Sequence, residues 1–189
     1  MLFYEGQHGG VVAKTWTRRQ VDARHFPDGV DRRVNARGID VAQYVDLLIG
    51  VVPAINLEWI QKIHRDSAHG KRSPGETVET ILRRLEDYIH YIVPQFGVSD
   101  INIQRIPLVD TSNPFIARDV PTEAECALVV HFRNRERHDF RDLLRRIPGA
   151  RMTRATTMLI PGGVLSHALE NICAPILAEL VGRRRAVNQ

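Results

Sequence analysis

The spacing of apolar positions changes several times along the chain, and each change marks an element. "MLFYEGQHGG" opens with four residues that fit the end of a strand, then meets Glu5 and Gly6. Residues 45–55, "VDLLIGVVPAI", are almost continuously apolar, the pattern of a strand at 45–52 buried on both faces of a parallel sheet, with Pro53 at its end. In "INLEWIQKIHRD" (55–66), Leu57, Ile60 and His64 fall on one helical stripe, with Trp59 and Ile63 beside it. A helix following a strand so closely is a step of the α/β kind. Ser73, Pro74 and Glu76 then give an N-cap, a proline at the first helical position and a capping-box glutamate. Val78, Ile81, Leu82, Leu85, Ile89 and Ile92 continue at helical period up to Pro94, which is expected to end that helix.

Further on, "INIQRIPLVD" (101–110) alternates as a strand does, and "CALVVHFRN" (126–134) is a second strand beyond the turn-rich "DTSNPF". "FRDLLRRI" predicts a short helix closed by Pro148 and Gly149, and "TTMLIP" a strand closed by Gly162 and Gly163. The last helix carries Leu165, Leu169, Ile172, Ile176 and Leu180, with a kink expected at Pro175. The sum is about five strands and four helices, with no internal repeat. Residues 13–38, "AKTWTRRQVDARHFPDGVDRRVNARG", have no clear period and read as a basic surface excursion inside a single domain spanning 1–189.

Composition narrows the class. A chain of 189 residues with 43% hydrophobic and 25% charged residues is ordinary for one globular domain. Cys126 and Cys173 stand far apart with no CxxC, against a disulfide framework or zinc site and in keeping with a reducing cytoplasm. No apolar run approaches the roughly 20 residues of a membrane span, and no basic-then-apolar leader opens the chain, so neither membrane nor secretion is expected. The net charge is +4, carried almost wholly by arginine; Lys14, Lys62 and Lys71 are the only lysines. Arginine forks suit phosphate, though most of these read as solvated surface residues. No helix-turn-helix, RNP or finger signature accompanies the charge, which disfavours nucleic acid as a partner.

Three places carry candidate chemistry. Glu5, at the end of a strand and followed by glycine, stands where an acid can hold magnesium, and His8 would lie over the same mouth of the sheet. Lys62, Arg65 and Asp66 lie at i, i+3 and i+4, so a helix would present two cations and a carboxylate on one face. Cations in that turn are also favoured by the helix dipole, by roughly 0.3 to 1 kcal/mol, and capping alone is the competing account. The loop that follows, "SAHGKRSPG", is basic and glycine-bearing and leads into a capped helix. Two helices flanking such a loop make a lid able to close on phosphates.

The succession "LFYEGxHG", "IGVVPxINLEWIQKIHRD", "ILRR", "IVPQF", "DINxQRxPxVDTSNPFIAR" and "FRN" strongly resembles the phosphoribulokinase family, in its bacterial octameric class rather than its plant class. The match runs from Leu2 to Val12 and from about Asp40 to the last helix. The resemblance implies an α/β fold of the P-loop, nucleoside-monophosphate-kinase kind, with a mixed, mostly parallel sheet flanked by helices. It implies transfer of the γ-phosphoryl of ATP to ribulose 5-phosphate, with Mg2+, in a homo-oligomer of the Calvin cycle. It makes Glu5 the acid of the Walker B strand and a metal ligand. Lys62, Arg65 and Asp66 become catalytic, Asp66 acting near the metal and acceptor hydroxyl, and Lys62 and Arg65 on phosphate. His8, Lys71 and Arg72 join them as candidate substrate-binding residues.

The departures from the family pattern are specific. No G-x-x-x-x-G-K-[ST] occurs, and the family's phosphate-cradling loop and proposed catalytic aspartate belong to a stretch preceding the "FYEG" strand. Met1 falls on an interior residue of that strand, so the chain reads as the C-terminal part of the enzyme, lacking the N-terminal half. The family's lid arginine falls on Gly70, with Lys71 and Arg72 as possible substitutes. Of two positions tied to NADH activation, one is His131 and the other keeps its arginine, Arg154, the candidate allosteric residue. Most of residues 13–38 has no counterpart. Three functional readings follow: a phosphoribulokinase chain with half its active site, inactive in isolation; a non-catalytic oligomerisation or regulatory fragment; or a related kinase acting on a nucleoside such as uridine.

Overall fold

A computed structural model describes residues 45–70 and 72–187. Its centre is a five-stranded sheet in the order β1-β2-β3-β5-β4. The strands are β1 (Ile49–Pro53), β2 (Ile101–Pro107), β3 (Cys126–Phe132), β4 (Arg151–Arg154) and β5 (Thr157–Pro161). β1 and β2 are parallel, and the other three pairings are antiparallel. The expected mixed sheet is therefore present, but among the described residues its pairings are mostly antiparallel rather than mostly parallel. The parallel pair β1 and β2 is joined by the long helical crossover that parallel strands require, whereas β4 and β5 are joined by a tight turn that only an antiparallel pair allows.

The predicted strand at 45–52 forms only from Ile49, and the run at 101–110 only as far as Pro107. β4 was not foreseen. Its sequence, Arg-Met-Thr-Arg, lacks apolar alternation because it is an edge strand with three of its four residues exposed. It pairs with β5 across the two-residue turn Ala155–Thr156.

Cross-strand register sets the core. Ile101 faces Phe132, Ile103 faces Val130, and these meet Met158 and Ile160 of β5 on one side of the sheet. Against that side pack α5 (Phe140–Arg146), through Leu143, and α6 (Leu165–Val187), through Ala168 and Ile172. Phe132, Val130, Met158 and Ile160 are fully buried, and truncating such a side chain costs about 3 to 5 kcal/mol for Phe132. Gly162, between β5 and α6, is required by packing: a Cβ there would overlap the carbonyl oxygens of Glu123 and Cys126.

The other side of the sheet, near β1, meets the crossover helices. These are α1 (Ile55–Ala68), α2 (Pro74–Arg83), α3 (Leu85–Asp87) and α4 (Val93–Phe96). The predicted capping box is formed: the Ser73 hydroxyl accepts from the Glu76 amide at 3.3 Å, and the Glu76 carboxylate accepts from the Ser73 amide at 2.8 Å. The helix does not stop at Pro94. A π-helical turn at Tyr88–Ile92 precedes α4, so the proline enters helix again near its first turn, where its missing N–H and its ring are tolerated. α6 likewise runs through Pro175.

One expectation about apolar runs needs correcting. The helix Gly162–Ala186 is long and apolar enough to cross a membrane by length and composition. Its Ala168 and Ile172 are instead part of the core against the sheet, with Leu165, Leu169, Cys173 and Ile176 packed beside them.

Candidate active site

α1 is the element that organises the site. Leu57, Ile60 and Ile63 form its inward stripe, and the next place on that stripe is Asp66, only 8% exposed. A carboxylate has thus replaced the apolar residue that periodicity would put there. The Lys62 Nζ donates to Asp66 Oδ2 at 2.8 Å, and the Arg65 Nε lies 3.6 Å from Oδ1. The predicted triad is therefore assembled, with Asp66 innermost, Lys62 half-buried and Arg65 63% exposed at the rim. The hydrogen bond from Lys62, helped by the charges of Lys62 and Arg65, holds the Asp66 carboxyl below its ordinary 3.8. At neutral pH Asp66 is an anion with little appetite for a proton. That suits a metal or hydroxyl-orienting role and disfavours a general base, whose affinity for protons should match the working pH.

α1 starts at the carboxyl end of β1, the edge at which α/β sheets bind ligands. The Ala54 amide, just before α1, donates to the Arg105 carbonyl of β2 at 2.7 Å. Three α1 side chains then grip the loop that leaves β2. Asn56 Nδ2 donates to the Thr111 carbonyl at 2.9 Å, the Trp59 ring stacks on Phe115 at 5.5 Å, and His64 Nε2–H reaches the Ala117 carbonyl at 3.0 Å. The loop braces itself as well: the Ser112 amide donates to Asp110 Oδ1 at 2.8 Å and so lowers the Asp110 carboxyl's proton affinity. Sequence periodicity placed His64 on an apolar stripe and assigned Asn56 nothing. Asn56, Trp59 and His64 border the inward stripe of α1 and face a turn-rich segment far away in sequence, so helical spacing alone gives little signal for this contact.

α1 ends in a tight turn at Gly70. Gly70, the position on which the resemblance would set a lid arginine, has φ of 60°, a left-handed conformation in which a side chain is strained. Its amide donates to the Ser67 carbonyl at 3.0 Å, closing the helix. Arg72 is not brought to the triad: its Nη1 donates to Thr80 Oγ1 of α2 at 3.3 Å. Glu5, His8 and Lys71 lie outside the described residues, as does the segment 13–38. Among the described residues no group of three His, Cys, Asp or Glu side chains could hold a metal. Mg2+ in kinases is bound by one or two carboxylates together with substrate phosphates, and Asp66 fits one such place.

Arg154 and His131 belong to another part of the molecule. Arg154 of β4 pairs with Thr157 of β5, which pairs with His131 of β3. His131 Nδ1 and Thr157 Oγ1 are 3.2 Å apart. Both positions thus neighbour Thr157 in the strand register, with a register irregularity between Met152 and Arg154. Arg154 also lines a shallow cleft of about 360 Å³ with Arg135 and Phe140, and α1 contributes nothing to it.

A mixed sheet flanked by helices, with α1 leaving the carboxyl end of β1 and ending in a charged turn, defines an α/β protein with the P-loop kinase fold. The family model described as Phosphoribulokinase / Uridine kinase family matches residues 1–112, and the chain belongs to that family. It is 45% identical over 188 residues to phosphoribulokinase of Sinorhizobium medicae, covering 100% of this chain and 57% of that protein. It is 42% identical over 189 residues to the chromosomal phosphoribulokinase of Cupriavidus necator, again with 57% of that protein covered. The solved structure of phosphoribulokinase from Rhodobacter spheroides matches with a TM-score of 0.70 and 48% identity, over 76% of this chain and 51% of that one. The chain therefore spans little more than half the length of the relatives it matches.

Proposed function

We propose that this chain supplies one wall of a phosphoribulokinase active site, for ATP-dependent phosphorylation of ribulose 5-phosphate to ribulose 1,5-bisphosphate. The observation that carries the reading is Asp66, a nearly buried carboxylate kept anionic between Lys62 and Arg65 on the helix that leaves the carboxyl end of β1. Phosphoryl transfer asks little covalent chemistry of a protein; it asks for positioning and for charge matched to the transferring group. Lys62 and Arg65 meet phosphate oxygens, and Asp66 orients the acceptor hydroxyl or serves as a metal ligand. Mg2+, when bound with ATP, neutralises charge on the phosphates. Glu5 is a second candidate metal ligand, and His8, Lys71 and Arg72 are candidate substrate contacts. Arg72 would have to leave Thr80 to take part. Arg154 is a candidate effector contact. The protein acts in the cytoplasm as a homo-oligomer.

The test is an ATP-dependent phosphorylation assay on a fusion of this chain with the amino-terminal portion of a relative, offered ribulose 5-phosphate and uridine side by side. Turnover of ribulose 5-phosphate supports the reading. Turnover of uridine alone would replace the substrate. No turnover of either, from a folded fusion, would favour a non-catalytic role.

A further inference from the structure

Lys62 stands between two carboxylates of α1: Glu58 one turn before it and Asp66 one turn after. In a helix, Glu preceding Lys by four residues is the better-oriented pair. Lys62 nevertheless bonds Asp66, at 2.8 Å. The Glu58 amide donates to the Ala54 carbonyl at 3.0 Å, but among the described residues no hydrogen bond or ion pair reaches its carboxylate, although the residue is half-buried. Burial raises the Glu58 carboxyl above its ordinary 4.5, against the opposing charges of Arg65 and Lys62. Its charge is felt by the half-buried phenol of Tyr88 on the neighbouring helical segment, which burial and Glu58 together push up. Glu58 is thus a half-desolvated carboxylate within the fields of Lys62, Arg65 and Tyr88 and with no hydrogen-bond donor among the described residues, an arrangement that costs free energy until a donor arrives.

We infer that Glu58 is a positioning residue for Lys62. When Asp66 turns its carboxylate to an acceptor hydroxyl or a metal ion, the Lys62 ammonium pivots one turn back to Glu58 and stays on the site-facing stripe. An ammonium has three donors, so one bond to Glu58 leaves two for phosphate oxygens. Without this second seat, release from Asp66 would let a long flexible side chain move into solvent. The inference rests on the reading of Asp66 as the carboxylate of a phosphoryl-transfer site.

It is tested on the full 189-residue chain without substrate, by following the Glu58 side-chain carboxyl in carbon-13 NMR through an acid titration. Asp66→Asn removes the competing seat and keeps the shape. The Glu58 pKa is then expected to fall by about 1 unit or more, as an opposite charge within hydrogen-bonding range demands. Adding Lys62→Met to Asp66→Asn should abolish the fall, which excludes simple relief of repulsion between the two carboxylates. A Glu58 titration unchanged by Asp66→Asn, or a fall that survives Lys62→Met, overturns the inference. If Asp66→Asn does not fold, Asp66→Ser carries the same comparison. Failure here leaves the fusion assay untouched, so the two readings can fall separately.

Discussion

At the scale of single residues, Asp66 is the place where helical periodicity and chemistry conflict. Its stripe is apolar through Leu57, Ile60 and Ile63, and a carboxylate at the next inward position is held only because Lys62 and Arg65 lie beside it. A consequence follows for pH. The folded value lies below the ordinary 3.8, so the native chain gives up this proton more readily than the unfolded one. The stability Asp66 contributes is therefore complete above the ordinary value and is lost as pH falls through the lowered one. Glu76, lowered by its bonds with the Ser73 amide and hydroxyl, acts in the same sense. Thermal melts from pH 7 to pH 3 should show Asp66→Asn less sensitive to acid than the parent chain. Equal acid sensitivity in both would mean that Asp66 is not held as an ion pair. The sequence showed the triad's shared face, but not that Asp66 is its buried member, because burial depends on what α1 packs against.

At the scale of elements, legibility followed the strength of local signals. The capping box at Ser73 and Glu76 could be read from four residues and is present, because both partners are local. Ser73→Ala should cost about 1 kcal/mol in chemical denaturation, with a range of roughly 0.5 to 2. A loss near zero would mean the cap is replaced by solvent. The extension past Pro94 was not legible, since the π turn that admits the proline is an accommodation of the whole helix and leaves no mark on composition. Nor was the grip of α1 on the loop after β2, whose hydrogen-bonded partners lie 55 and 53 residues apart in sequence. That grip ties α1, which carries Lys62, Arg65 and Asp66, to the loop after β2. Trp59→Ala, which removes the stack on Phe115, is expected to lower stability by about 3 to 5 kcal/mol if the ring packs as a core side chain does, and less to the extent that it is exposed. Proteolysis within residues 108–121 should accelerate in the same variant; unchanged cleavage would show that the loop holds itself.

At the scale of the molecule, the proposed reading gives this chain one side of a site, and its sequence holds no G-x-x-x-x-G-K-[ST] phosphate loop. Isothermal titration of the 189-residue chain with Mg-ATP is expected to show weak binding, because backbone amides and a lysine from such a loop normally hold the phosphates. A low-micromolar dissociation constant would contradict this. The central claim, that Lys62, Arg65 and Asp66 form a phosphoryl-transfer wall and not merely a charged helix end, is tested most directly by the steady-state kinetics of Asp66→Asn in the active fusion. The account gives a fall in kcat of roughly two to three decades, the loss of one preorganised electrostatic group, with KM for ribulose 5-phosphate changed far less. Lys62→Ala and Arg65→Ala differ from it by raising KM as well, since their charges meet phosphate before and during transfer. Asp66→Asn turning over at the parental rate would contradict the account.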